Sequence, residues 1–172
     1  MKTLYLLRHA KSSWKDSSLD DFYRPLNERG KRDAPFMAQI LLQYRPQLDT
    51  LIVSPAERTR LTALSFINVL QLDKAQIRYN DSLYYGTLED QIQLVSSFSD
   101  DWKEVLIIGH NPELTQLHNY WSSTPLLNIP TTGLVRLDFQ QHHWAALSDQ
   151  QAANQVFFEF PRRYFPKKNK IN

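Results

Sequence analysis

Three short stretches of the chain hold residue types that can do chemistry together: Arg8-His9-Ala10, Ser54-Pro55-Ala56-Glu57-Arg58-Thr59 and Gly109-His110-Asn111-Pro112. Each begins where an apolar run stops. Two guanidinium groups can grip a phosphoryl group through paired, charge-assisted hydrogen bonds, because arginine's planar fork matches a tetrahedral oxyanion better than an ammonium does. A neutral imidazole between them keeps a lone pair, since nearby positive charge lowers its pKa below the ordinary value of about 6.5. Such a nitrogen can attack phosphorus directly. A second histidine can then donate to the equatorial oxygens, where a preorganised donor is worth roughly 3–4 kcal/mol in the transition state. This chemistry calls for neither a metal ion nor a cofactor.

The elements that must position these residues can be read from the apolar pattern. Leu4-Tyr5-Leu6-Leu7, Leu51-Ile52-Val53 and Val105-Leu106-Ile107-Ile108 are apolar at successive positions. That suits strands buried on both faces of a parallel sheet. Helical spacing follows each run, at Met37, Ile40, Leu41 and Tyr44, at Ala63, Phe66, Ile67 and Leu70, at Leu88, Gln91, Ile92 and Val95, and at Leu114, Leu117, His118 and Trp121. Pro35 falls inside the first of these, which predicts a kink near Ala34 or a start later than Asn27. Beyond Gly133 the period changes to two. Val135, Leu137 and Phe139 alternate with Arg136 and Asp138, and Val156, Phe158 and Phe160 with Phe157 and Glu159, as half-exposed antiparallel strands near a sheet edge. The expected fold is α/β, a three-layer αβα sandwich around a mostly parallel sheet. In such sheets ligands gather beyond the carboxyl ends of the strands, where Arg8, His9, Arg58 and His110 are expected.

Composition bounds the rest. The 172 residues suit one domain, expected over 1–161, with a basic tail over 162–172 that includes Arg162, Arg163, Lys167, Lys168 and Lys170. Twenty cations against eighteen acids leave a formal charge of +2, spread along the chain, which argues against a dedicated nucleic-acid binder. The absence of cysteine excludes disulfides, thiolate zinc sites and a cysteine nucleophile. No apolar run approaches the roughly 20 residues that span a bilayer, so the expected location is cytoplasmic and no membrane partner is expected.

The combination LLRHA, SPAERTRLTA and IIGHNP, in that order and at strand ends, resembles the histidine phosphatase superfamily, whose founding members are phosphoglycerate mutases. RHAKSSW, DDFYRPLNERGKRDAP and SLYYG are similar to its short SixA-like branch of phosphohistidine phosphatases. The resemblance implies a phosphoglycerate mutase-like fold and a covalent route in which His9 takes the phosphoryl group and water then releases it. By motif it makes Arg8 and Arg58 the phosphate-binding arginines, His110 the second histidine and Ser12 a phosphate contact. The implied partner is a phosphorylated protein, such as a phosphotransfer domain, or a small phosphorylated molecule.

A proton donor is not marked by motif. Asp81, after the expected strand Ile77-Arg78-Tyr79, and Glu89, at a helix start, are the candidates, although a turn cap and a helix N-terminal acid explain them equally well. Lack of an unmistakable acid favours a P–N substrate, whose imidazole leaving group can be protonated by solvent. The short connections suit an open site and a protein-borne phosphate. Lys11, Lys15, Arg24 and Arg29 could dock an acidic partner or simply be solvated. His118 reads as a hydrogen-bonded histidine on an apolar helix face, His142 and His143 as residues of a connecting loop, and Thr131-Thr132-Gly133 as a turn bordering the site. Two rivals to a phosphohistidine phosphatase remain: a small-molecule phosphomonoesterase of the same superfamily, and a non-catalytic module that binds phosphorylated partners.

Overall fold

The computed structural model describes residues 1–147 and 153–165. The cations expected at Lys167, Lys168 and Lys170 lie outside the described residues. In chain order the elements are β1 (Lys2–Arg8), α1 (Glu28–Gln43), β2 (Thr50–Val53), α2 (Glu57–Leu70), β3 (Ile77–Tyr79), α3 (Ser82–Tyr85), α4 (Leu88–Ser96), β4 (Glu104–Gly109), α5 (Glu113–Trp121), β5 (Leu134–Phe139) and β6 (Asn154–Glu159). The six strands form one sheet in the order β3-β2-β4-β1-β5-β6. The first four of that order run parallel, and β5 and β6 add antiparallel strands at one side.

Burial on both faces explains why three strands are apolar at successive positions. Leu4 and Leu6 pack with Leu114, Leu117 and Trp121 on one face, and Tyr5 and Leu7 pack with Met37, Leu41 and Phe66 on the other. Helices α1 and α2 therefore cover one side of the sheet, and α4 and α5 the other. The 3.6-residue spacing of these helices supplies the two outer layers.

Helix α1 corrects one of the two alternatives drawn from Pro35, since its start is not delayed beyond Asn27. It begins directly after Asn27, whose side chain accepts from the Gly30 amide at 2.9 Å, and runs through Pro35 to Gln43. Pro35 lies on the exposed side of the helix, as does Lys31, so water can satisfy the carbonyl that proline leaves without an N–H partner. Gly30 is required at this start. A Cβ there would collide with the backbone carbonyl of Lys11, so only glycine lets α1 press against the loop that follows β1.

In β6 the deeper face is Phe157 and Glu159, while Val156 is 43% exposed. Phe157 stacks on Tyr44 with ring centroids 4.2 Å apart. Glu159 can be buried because the hydroxyls of Tyr44 and Tyr164 both donate to it at 3.0 Å and Arg163 pairs with it at 3.2 Å. The basic residues Arg162 and Arg163 thus belong to a short 3-10 turn, Pro161–Arg163, that follows β6.

Candidate active site

Strand register brings the chemistry together. Arg8 is level with Gly109 across the β1–β4 pair, and Val53 is level with Ile108 across β2–β4. The next residues of the three strands, His9, His110 and Ser54, therefore emerge side by side at the carboxyl edge. Backbone bonds extend the ladder past the strand ends: the His9 amide donates to the Gly109 carbonyl at 3.1 Å and the Ser54 amide to the Ile108 carbonyl at 3.0 Å. The imidazole centroids of His9 and His110 lie 5.1 Å apart.

His9 is 8% exposed, and its Nδ1 lies 2.8 Å from the Ala10 carbonyl. A carbonyl only accepts, so Nδ1 carries the hydrogen and Nε2 carries the lone pair. Burial, with Arg58 and Arg8 adding to it and the Ala10 bond opposing it, lowers the His9 pKa to about 3. The ring is neutral across the physiological range. His110 behaves alike: burial first, then His9 and Arg58, bring its pKa down to about 2. Its Nε2 is 2.7 Å from the Ser54 hydroxyl, while its buried Nδ1 has no partner among the described residues. When Ser54 donates to Nε2, Nδ1 bears the proton and is the ring's remaining donor.

The two arginines are anchored differently. Arg8 Nη1 donates to the Ile129 carbonyl at 2.9 Å and to Asn128 Oδ1 at 3.4 Å, in the loop between α5 and β5. Arg58, in the first turn of α2 and 7% exposed, donates to the carbonyl and to Oδ2 of Asp21 at 2.7 and 2.9 Å. Those two bonds hold the guanidinium plane and leave its remaining N–H donors for a ligand. Thr62 ties the two halves of the site to each other. Its hydroxyl donates to the Arg58 carbonyl at 2.6 Å and accepts from the Ala10 amide at 2.9 Å. The Thr132 amide bonds the carbonyls of Arg8 and His9, and Thr132 holds φ +59°, an uncommon conformation for a β-branched residue. The turn expected at Thr131-Thr132-Gly133 thus borders the site and braces its backbone.

Of the residues expected at the site, Arg8, His9, Arg58 and His110 are brought together. Ser12 stands one step out, where its Oγ accepts from Arg24 Nη2 at 2.7 Å. Arg24 in turn reaches Asp21 Oδ1 at 2.8 Å, so Ser12, Arg24, Asp21 and Arg58 form one hydrogen-bonded chain. Asp81 and Glu89 are both exposed, and neither side chain makes a hydrogen bond or ion pair among the described residues. The Asp81 backbone carbonyl instead accepts from Tyr84 and Tyr85 in the turn of α3. His118 is fully buried between Asn119 and Gln155, each at 2.8 Å, and His143 meets Asp100 at 2.7 Å.

Sequence reasoning did not single out Ser54, Thr62, Asp21 or Tyr84. Asp21 accepts from Tyr84 Oη at 3.0 Å as well as from both arginines. Partial burial works against its ionisation, yet the Tyr84 bond and the charges of Arg58 and Arg24 hold its carboxyl below the usual value. Tyr84 also meets His110 edge-on at 5.4 Å. A usable signal existed for Ser54, which is level with Gly109 in any parallel pairing that aligns the ends of the apolar runs. DDFYRP, by contrast, reads as an ordinary exposed loop.

The family comparison agrees with this geometry. Residues 4–93 match the model for the histidine phosphatase superfamily, branch 1, and the chain belongs to that superfamily. Within it the chain is SixA-like. It is 27% identical to the candidate phosphohistidine phosphatase SixA from Agrobacterium tumefaciens, over 93% of this chain and 98% of that one, with TM-score 0.75. The corresponding SixA candidate from Nakamurella multipartitia is 28% identical over 93% of this chain and 96% of that one, with TM-score 0.78. Among curated relatives, an uncharacterized chloroplastic protein of Arabidopsis thaliana is 38% identical over 64% of this chain, which spans only 54% of that protein. An uncharacterized protein of Mycobacterium tuberculosis is 30% identical over 91% of this chain and its own full length. Among the described residues no helix is long and apolar enough to cross a membrane.

Proposed function

We propose that the protein is a metal-independent phosphohistidine phosphatase, which removes phosphate from a protein-borne phosphohistidine by way of a phosphoenzyme on His9. The observation that carries this reading is the Ala10 carbonyl on His9 Nδ1, which leaves Nε2 as a buried, neutral nucleophile between two arginines and a second histidine.

In the first step the Nε2 lone pair attacks phosphorus in line with the substrate's P–N bond. That bond breaks, and the substrate imidazole leaves with the electron pair, protonated at its distal nitrogen by solvent. Positive charge developing on the His9 ring is met by the Ala10 carbonyl at Nδ1–H. Arg8, Arg58 and His110 Nδ1–H hold the equatorial oxygens, and Ser12 supports Arg24 behind them. Water then attacks the phosphohistidine, its P–N bond breaks, and inorganic phosphate departs while His9 is restored.

The substrate class is supported by the state of Asp21. This carboxylate is bonded into the site but held ionised, so it is a poor acid for an alkoxide leaving group and unnecessary for an imidazole. The SixA names of the two structural relatives point the same way. Hydrolysis of a phosphohistidine protein should exceed that of sugar phosphates and aryl phosphate in kcat/KM, with Asp81→Asn close to wild type and EDTA without effect. A preference for the esters, or loss of turnover on chelation, overturns the reading.

A further inference from the structure

Beside Arg8 lies a cleft of about 390 Å³ walled by the start of α1, the loop before β5 and the turn after β6, with neither Arg58 nor His110 in its lining. His9 does not line it. Its charges are those of Arg8, Lys11, Arg29, Arg32 and Arg162, against the single carboxylate of Asp33. That carboxylate is buried and already shared, by Arg32 at 2.6 Å and by Arg29 at 3.8 Å.

Arg29 donates to Thr131 Oγ1 at 3.0 Å and Arg8 Nη1 to the Ile129 carbonyl, but among the described residues the side chains of Lys11 and Arg162 make no hydrogen bond or ion pair and the buried Nε of Arg8 has no partner. Arg32 is laid against the Phe165 ring at 4.7 Å, so one wall is apolar and orients a guanidinium. Like charges collected in a concavity repel one another and focus a positive field, which a bound anion relieves. A cleft of this size admits a small anionic group with part of what carries it.

We propose that this cleft is a second anion subsite, which takes a further carboxylate or phosphate carried by the same molecule whose phosphoryl group reacts at His9. Arg8 is shared: it lines the cleft as well as standing beside His9, and its Nη1 is tied to the Ile129 carbonyl at 2.9 Å. The substrate class is thereby narrowed to doubly anionic groups. Such a group comes either from acidic side chains beside the phosphohistidine of a protein or from a small polyanion. The inference rests on the proposed function only for the first of these sources.

The test uses the whole chain and measures binding of inorganic tripolyphosphate and of orthophosphate by titration calorimetry. Wild type should bind tripolyphosphate at least about tenfold tighter, as expected when a charge-assisted hydrogen bond is added. In the doubly substituted Arg32→Gln, Arg162→Gln protein that advantage should fall below about twofold with orthophosphate binding unchanged. Lys11→Gln supplies an independent wall of the cleft if the double variant fails to fold. No advantage in wild type, or the same advantage in the variants, overturns the proposal. Two phosphohistidine peptides, with glutamates or glutamines flanking the histidine, identify the source. A preference for the glutamate peptide that the double variant loses assigns the subsite to an acidic protein segment. Equal turnover of the two peptides, with the tripolyphosphate advantage intact, assigns it to a small polyanion. Failure to hydrolyse either peptide overturns the phosphohistidine reading and leaves the tripolyphosphate comparison standing.

Discussion

Ser54→Ala isolates the hydroxyl that, by donating to His110 Nε2, places the ring proton on Nδ1. The change deletes a 2.7 Å bond between a fully buried serine and a histidine 9% exposed, and leaves the His110 Nε2 without a partner. A buried acceptor stripped of its donor costs about 1–3 kcal/mol. For a chain of this size that is a fall of about 2–12 °C in Tm. The effect on rate follows from the tautomer. With Ser54 donating to Nε2, the proton sits on Nδ1, the buried ring atom with no partner among the described residues. Without Ser54 nothing fixes that tautomer, and losing about 1–2 kcal/mol of donor preorganisation slows kcat about fivefold to thirtyfold. The effect should be smaller than that of His110→Ala, which removes the donor altogether and costs about a hundredfold to a thousandfold. Steady-state kinetics gives the rate, and ¹⁵N chemical shifts of the His110 ring report which nitrogen is protonated. A Ser54→Ala enzyme within twofold of wild type in kcat, or a wild-type His110 protonated on Nε2, would refute the reasoning.

Two further outcomes follow from the same geometry. Because burial lowers the folded pKa of His9 to about 3 and that of His110 to about 2, the unfolded chain binds protons on these rings below pH 6.5 that the folded chain excludes. Stability should therefore be complete above about pH 6.5 and decline as pH falls below it, with a shallower decline in His9→Gln, as Tm measured between pH 4.5 and 7.5 will show. Corrected for substrate ionisation, kcat should show no loss near pH 6.5; an apparent pKa there would place the imidazoles in water. Thr62→Val keeps the shape of a fully buried side chain but strands the Ala10 amide and removes the side-chain bond to the Arg58 carbonyl. It should lower Tm by about as much as Ser54→Ala and reduce kcat, and an unchanged Tm would show that the tie between the two halves of the site is dispensable.

How much of this was legible in the chain depends on what each residue's position required. Apolar runs at successive positions, each short and followed by helical spacing, suit strands buried on both faces, so the sheet and the residues at its three carboxyl ends were expected from pattern. Arg8, His9, Arg58 and His110 were found because they stand immediately beyond, or within one helical turn of, those runs. The order β3-β2-β4-β1 carries no local signal, and without it the pairing of Ser54 with His110 could not be assigned. Asp21 was hidden for a related reason. Its role depends on a 3-10 turn that carries it back over Arg58 and Tyr84, a long-range placement that the polar sequence DDFYRP does not encode in any periodicity. Pro35 did not delay the start of α1, because its place on the exposed side lets water satisfy the carbonyl it leaves without an N–H partner. The cleft beside Arg8 required the antiparallel strands to be in place, since its cations come from residues as distant in sequence as Lys11 and Arg162.

The central claim is that His9 Nε2 takes the phosphoryl group. Its most direct test is a rapid quench after mixing wild-type protein with a phosphohistidine substrate labelled at phosphorus, followed by mapping of the labelled residue. The account predicts acid-labile, base-stable phosphate on His9, formed within a single turnover, and none on His9→Ala. Turnover by wild type with no such intermediate, or label on another residue, would contradict it.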